Sequence, residues 1–169
     1  MKDKMIKTKA SNQLRKAIEI AVSAHEGQLD KSGVPYICHP IRVSNLCENY
    51  KAKCVAMLHD VIEDCNILDK DLLNMGVDAD IVEAVKILTK SPHDIEKYEE
   101  YILHIIMSGN VSAIEVKLYD LYDNLGRGRA FPNPLSKNQH RMYKAAYDFI
   151  AEAWFNLNIE KKSNGTECR

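Results

Sequence analysis

No run of about 18 apolar residues occurs in the 169-residue chain, so no membrane-spanning helix is expected. The opening MKDKMIKTKA lacks the apolar stretch of a signal peptide, which leaves the cytoplasm as the expected compartment and no membrane as a partner. No Cys-x-x-Cys pair exists among Cys38, Cys47, Cys54, Cys65 and Cys168, which argues against a disulfide framework or a zinc finger. A net charge of −1 provides no strong field for polymeric nucleic acid. Glycine and proline are scarce, at seven and five residues, and there is no repeat or low-complexity tract. Strand pairs with hairpin turns are missing too. What remains is 46% hydrophobic and 28% charged residues in a length suited to one domain with a sizeable core.

Helical periodicity runs through almost every segment. Helices are expected over 11–28, 40–50, 52–66, 69–76, 78–89, 94–107, 111–125 and 136–157. The reading is an all-α bundle of seven or eight helices over residues 11–159, with an N-terminal extension at 1–10 and a disordered tail at 160–169. A homo-oligomer is compatible with this pattern. Two loops stand out, 29–39 and 126–135.

The stretch AMLHDVIEDC, residues 56–65, carries His59, Asp60, Glu63 and Asp64 among apolar side chains. On one continuous helix, at about 100° per residue, these four fall inside an arc of roughly 140°. Three carboxylates on one face repel each other, so a positive group is expected on that face. In LDKSGVPYICHP, His39 precedes Pro40 and is expected to be held extended at a helix mouth. In VKLYDLYDNL, Asp120 and Asn124 are four apart and share a helix face. Asp123 is placed off that face, at the surface.

His39, His59, Asp60 and Asp120 together offer two imidazole nitrogens and two carboxylates. A mixed N/O set without thiolate suits Mn²⁺, Fe²⁺ or a Mg²⁺-like ion better than a closed structural zinc site. Glu63 and Asp64 lie one turn on, better placed to orient water or shuttle a proton than to join the same ion. His25 is read as structural or as a hydrogen-bond partner behind the site.

The order SGxPYIxHP, LHDVIED, KLxDxxxNL resembles the HD-domain phosphohydrolases and, more narrowly, the alarmone hydrolase domain of the RelA/SpoT family and its small stand-alone versions. The likeness runs from about Leu14 to Ile150. It implies an all-helical fold, a Mn²⁺ ion held by His39, His59, Asp60 and Asp120, and water activation by Glu63 and Asp64. It further implies a phosphorylated nucleotide substrate, with Asn124 on the substrate sugar and Lys31 and Ser32 at matching positions of its loop. The reaction implied is removal of pyrophosphate from the 3′ position of ppGpp. Arg127, with Arg129 beside it, is a candidate source of phosphate-binding charge.

The pattern also departs from the family. Asp30 stands where the family has an Arg that packs on guanine, and KLADRLHN becomes KLYDLYDN, with Leu121 for Arg and Asp123 for His. A carboxylate cannot stack on a base as a guanidinium does. Hydrolysis of another phosphorylated nucleotide is the alternative reading, and a nucleotide sensor without turnover the third.

Overall fold

The structure, a computed structural model, describes residues 2–91, 97–127 and 135–164. Among them run nine helical segments: α1 (Lys2–Ala24), α2 (Cys38–Leu46), α3 (Tyr50–Leu58), α4 (Val61–Asp64), α5 (Asp69–Asn74), α6 (Ala79–Leu88), α7 (Tyr98–Met107), α8 (Val111–Arg127) and α9 (Lys137–Asn164). The described residues contain no strand, only an isolated bridge between Leu29 and Pro35. None of the helices is long and apolar enough to cross a membrane.

The bundle is organised around α3. Ala52, Cys54, Val55, Ala56, Met57 and Leu58 are all buried, so this helix is apolar on nearly every side. A helix apolar all round belongs in a core. It packs against α1, α2, α6 and α8, and α9 lies along α8. The amphipathic neighbours each turn a helical stripe inward: Ala17 and Ala21 from α1, Ile81, Val82 and Val85 from α6, Ile114 and Leu121 from α8. Side-chain amides lock the outer turns, with Gln13 of α1 donating to the Gly76 carbonyl and to Asp78, 3.1 Å each. Cys38, Cys47, Cys54 and Cys65 are all free thiols.

Several boundaries differ from the periodicity. α1 starts at Lys2, so the expected extension at 1–10 is helical from its second residue. Polar Lys-rich sequence is a good helix former even without an apolar stripe. α9 continues to Asn164, past the expected start of a tail at 160; residues 165–169 lie outside the described ones. The expected helix over 52–66 is broken in two at His59–Asp60, where Asp60 takes φ −100° and ψ −4°. His39 is not extended: Cys38 and His39 already lie in α2, entered through an αR Ile37. Pro40 sits in the first turn, where a missing N–H breaks no intrahelical bond.

The turn between α2 and α3 is held from across the core. Glu115 of α8, wholly buried, accepts from the Glu48 amide at 2.6 Å and from Asn49 Nδ2 at 2.7 Å. The same Asn49 caps α3, its Oδ1 accepting from Ala52 N at 2.9 Å. One carboxylate therefore fixes three helices relative to one another. Changing Glu115 to Ala should strand these donors and cost about 2–3 kcal/mol, a fall of roughly 5–10 °C in Tm. Thermal unfolding by circular dichroism checks this; an unchanged Tm would show that the clamp contributes nothing.

Candidate metal centre and its cavity

The three pieces of the motif arrive from three directions. His39 comes from the first turn of α2, His59 and Asp60 from the break after α3, and Asp120 from the middle of α8. All four are buried, at 5–9% exposure. One ligand atom each from His39, His59 and Asp120 lies within 4.8 Å of the others, a cluster able to hold a metal ion. Asp60 borders it, its Oδ2 lying 3.0 Å from His59 Nε2 and 3.8 Å from His39 Nε2.

The break at His59–Asp60 explains how adjacent residues both face this point. On a continuous helix their side chains would diverge by about 100°. Instead α3 ends on His59 and α4 begins after Asp60, the Asp60 carbonyl accepting from Asp64 N at 2.8 Å. His59 Nδ1 is paired with the Ala56 carbonyl at 2.7 Å, so Nε2 is the nitrogen turned inward. That Nε2 is buried and lacks a hydrogen-bond partner among the described residues; its approach to Asp60 is close but badly aligned. An orphaned imidazole nitrogen aimed at carboxylates is what a cation ligand looks like before its ion. The residues present fit a divalent ion.

Each carboxylate has a distinct electrostatic setting. Burial works against a charged Asp120, but the Lys117 ammonium, 2.9 Å from Oδ2, and His39 outweigh it and hold the carboxyl well below the usual range. Asn124 donates to Asp120 Oδ1 at 2.6 Å, so it steadies Asp120 here. Burial opposes charge on Asp60 as well; His59 and then His39 overcome it and lower its pKa. Asp60 Oδ2 also accepts from the Tyr36 hydroxyl at 2.6 Å. Burial lowers the His39 pKa, yet bonds to Asp120 and Asp123 win and raise it to about 10. Both imidazoles are therefore held in an excess of negative charge, which a metal dication can offset.

Glu63 and Asp64 diverge. Lys90 grips Glu63, with Nζ at 2.8 and 2.9 Å from its two oxygens and the Lys90 amide at 3.1 Å. Asp64 is exposed and opens to the cavity, its pKa raised by partial burial and by the charges of Asp60 and Glu63. The cavity holds about 460 Å³, and Lys31, Ser32, Asp64, Lys90, Asp120 and Asn124 are among its walls. Thus Lys31 and Ser32 line the space in front of the ligand cluster. Arg127 closes α8, its side chain lying outside the described residues, as does Arg129.

Four residues escaped the motif reading. Asp123 is buried, not at the surface: three residues from Asp120, it sits only about 60° around α8. It bonds His39 Nδ1 at 2.8 Å and Arg42 at 2.6 and 2.8 Å. Arg42 carried the matching signal, three residues after His39. Tyr36 lay within the quoted loop but carries no mark of its own, and Lys90 follows an apolar helix end that reads as a boundary. His25, 2% exposed, stacks on Tyr36 with ring centroids 4.9 Å apart and bonds Gln28 at 2.8 Å.

Asp30 turns out to be a loop-builder. Its Oδ1 accepts from Ser32 N at 2.8 Å and Val34 N at 3.0 Å, around Gly33 at φ +78°. Asp and Asn shape turns through this acceptor. Asp30→Asn should keep the loop, and Asp30→Ala should loosen it. Backbone hydrogen exchange at Ser32 and Val34 is the measurement: about tenfold faster exchange in Asp30→Ala alone is expected, and equal rates in both variants would refute it.

No protein-family model matches the chain. Among curated proteins it is 30% identical over 160 residues to the guanosine-3′,5′-bis(diphosphate) 3′-pyrophosphohydrolase of Haemophilus influenzae, covering 88% of this chain and 23% of that one. The enzyme of the same name from Borreliella burgdorferi is 34% identical over 122 residues, 65% of this chain and 18% of the relative. The chain thus spans about a fifth of the length of these relatives. Among solved structures, a metazoan ortholog of SpoT described as hydrolysing ppGpp superposes with a TM-score of 0.70 at 20% identity, over 84% of this chain and 85% of that one. That likeness carries the fold, and the curated relatives carry the sequence kinship, so at the level of the domain this chain is similar to an HD domain of the RelA/SpoT hydrolase type.

Proposed function

We propose that the domain is a metal-dependent phosphohydrolase that removes pyrophosphate from the 3′ position of a guanosine alarmone of the ppGpp type. Mn²⁺ is the ion in this reading, with Fe²⁺ or Mg²⁺ as substitutes, and His39, His59, Asp60 and Asp120 are its protein ligands. The observation that carries it is the meeting of His39 from α2, His59 from the break after α3 and Asp120 from α8 beside a charged cavity. The names of the curated relatives supply the substrate class. When bound, a divalent ion supplies positive charge for the reacting phosphate and makes water a stronger acid.

The rest of the work falls to the chain's own side chains. Asp64, open to the cavity with a raised pKa, takes the proton of the attacking water. Glu63, fixed by Lys90, orients that water from a position it cannot leave. Water attacks the phosphorus next to the 3′-oxygen; the bond to that oxygen breaks, and the sugar hydroxyl takes up a proton. Lys31, Ser32 and Arg127 serve the phosphates from the cavity rim, and Asn124 faces the sugar. The ammonium groups of Lys90 and Lys117 line the same cavity and offset charge on the pyrophosphate group under attack.

Substrate recognition differs from the chemistry. With Asp30 committed to its loop and Leu121 buried, the two cations of the family pattern are missing from the base pocket. A cation–π contact of about 0.5–2 kcal/mol is lost, up to roughly 30-fold in affinity. This feature favours the second reading, another phosphorylated nucleotide.

Incubation with Mn²⁺ and a panel of phosphorylated nucleotides, with phosphate and pyrophosphate measured separately, tests the proposal. Pyrophosphate should appear from ppGpp, with a high KM. Cleavage only of a nucleotide without guanine would transfer the function to the alternative, and no cleavage of any would leave a sensor. Glu63→Gln and Asp64→Asn should keep Mn²⁺ but lose about 10²-fold or more in kcat, whereas His59→Ala should lose metal and activity together. Loss of metal from Glu63→Gln would overturn this division of labour.

A further inference from the structure

Asp123 and Arg42 form a part-buried ion pair that the proposed reaction does not use. The carboxylate is gripped by both arms of the guanidinium, Nε to Oδ1 at 2.6 Å and Nη2 to Oδ2 at 2.8 Å. Its Oδ2 also accepts from His39 Nδ1 at 2.8 Å. The Asp123 side chain is only 9% exposed and that of Arg42 33%. His39 meanwhile points Nε2 at Asp120 Oδ1, 3.3 Å away, and at Asp60 Oδ2.

We propose that Asp123, locked by Arg42, is a positioning residue that orients His39 for the divalent ion. This inference rests on the metal reading above. An imidazole coordinates through one nitrogen, and the partner of the other nitrogen fixes ring orientation, tautomer and donor strength. A carboxylate alone could rotate away, but the bidentate fork satisfies both oxygens and holds it in one plane. The placement along the chain supports the same role. Arg42 follows His39 by three residues on α2, and Asp123 follows Asp120 by three on α8. The pair therefore ties together the two helices that deliver these ligands, within one turn of each.

The device departs from the family motif at Asp123. The family pattern KLADRLHN has His where Asp123 stands. A neutral imidazole has one acceptor nitrogen, so it cannot accept from a second imidazole and a guanidinium at once. Replacement of that His by Asp makes sense together with Arg42 opposite it, because a buried carboxylate needs its cation. The acidic groups facing His39, namely Asp60, Asp120 and Asp123, then divide between its two edges.

The test is Mn²⁺ affinity of the metal-free protein, by competition with a chromophoric chelator, alongside thermal unfolding of the same samples. Asp123→Ala should weaken Mn²⁺ binding by about 10–100-fold, as losses behind a ligand generally do. Asp123→Asn should lose less, since its amide oxygen still accepts from Nδ1, and Arg42→Ala should fall between wild type and Asp123→Ala. If Asp123→Ala does not fold, the graded loss in Asp123→Asn and Arg42→Ala decides. Wild-type Mn²⁺ affinity in these variants, with only Tm lowered, would overturn the positioning role and leave the metal reading standing. A wild-type protein that takes up no Mn²⁺ would overturn both.

Discussion

Asp120 cannot be buried unless its charge is met, and the site is the working out of that requirement. Its Oδ2 faces Lys117 and its Oδ1 faces Asn124 and His39. Taking a carboxylate out of water costs several kcal/mol unless partners replace the solvent. The partner is itself buried: Lys117 is 4% exposed, with its ammonium over the rings of Tyr98 and Tyr101 at 5.6 and 5.1 Å. Cation–π contact replaces part of the hydration that the ammonium has lost. Each charge in the chain of contacts thus demands the next, from Tyr101 through Lys117, Asp120 and His39 to Asp123 and Arg42. Rigidity of the ligand cluster is a consequence of that chain, because no member can rotate without exposing another.

Two further pairs obey the same rule and sort the acidic groups by task. Glu63 is neutralised by Lys90 and Asp123 by Arg42, so both are fixed charges. Asp60 has the Tyr36 hydroxyl and the imidazoles, with no ammonium or guanidinium bonded to it among the described residues. Asp64 stays open to solvent with a raised pKa. Of these four, the two without a fixed cation are thus one proposed ligand and one proposed base. A cation and a proton are what each of them lacks.

Much of the architecture was legible as periodicity. Ile81, Val82, Val85 and Leu88 in α6 repeat at helical spacing and are buried as that spacing demands. The motif residues were legible as chemistry, since two imidazoles and several carboxylates in an apolar setting call for an ion. Local geometry was not legible. Periodicity cannot show that a helix breaks between two residues that both satisfy its pattern, yet His59 and Asp60 converge only because it does. Neither does an isolated dipeptide rule foresee that His39 and Pro40 both fit the first turn of α2, where no N–H is needed. Asp123 was misplaced for a different reason: its burial depends on Arg42, 81 residues away in the chain, and no local pattern encodes that contact.

These failures are informative because they coincide with the site. Sequence rules describe what a segment does by itself, and functional residues are held where tertiary contacts overrule the segment. Asp30 illustrates the converse. By comparison with the family it reads as a missing contact to a base, but its two backbone bonds make it the organiser of a turn ahead of Tyr36, whose hydroxyl reaches Asp60. In the proposed reading this side chain serves the ligand cluster at one remove, through the loop that carries Tyr36. A substitution at Asp30 therefore acts, in that reading, on the Asp60 carboxylate, through the loop and Tyr36, as well as on the base. The two halves of the cavity are coupled by the backbone between residues 30 and 36, and its other walls are tied in as well: Leu121 is part of the core, and Tyr143 packs on Tyr98, whose ring lies under the Lys117 ammonium.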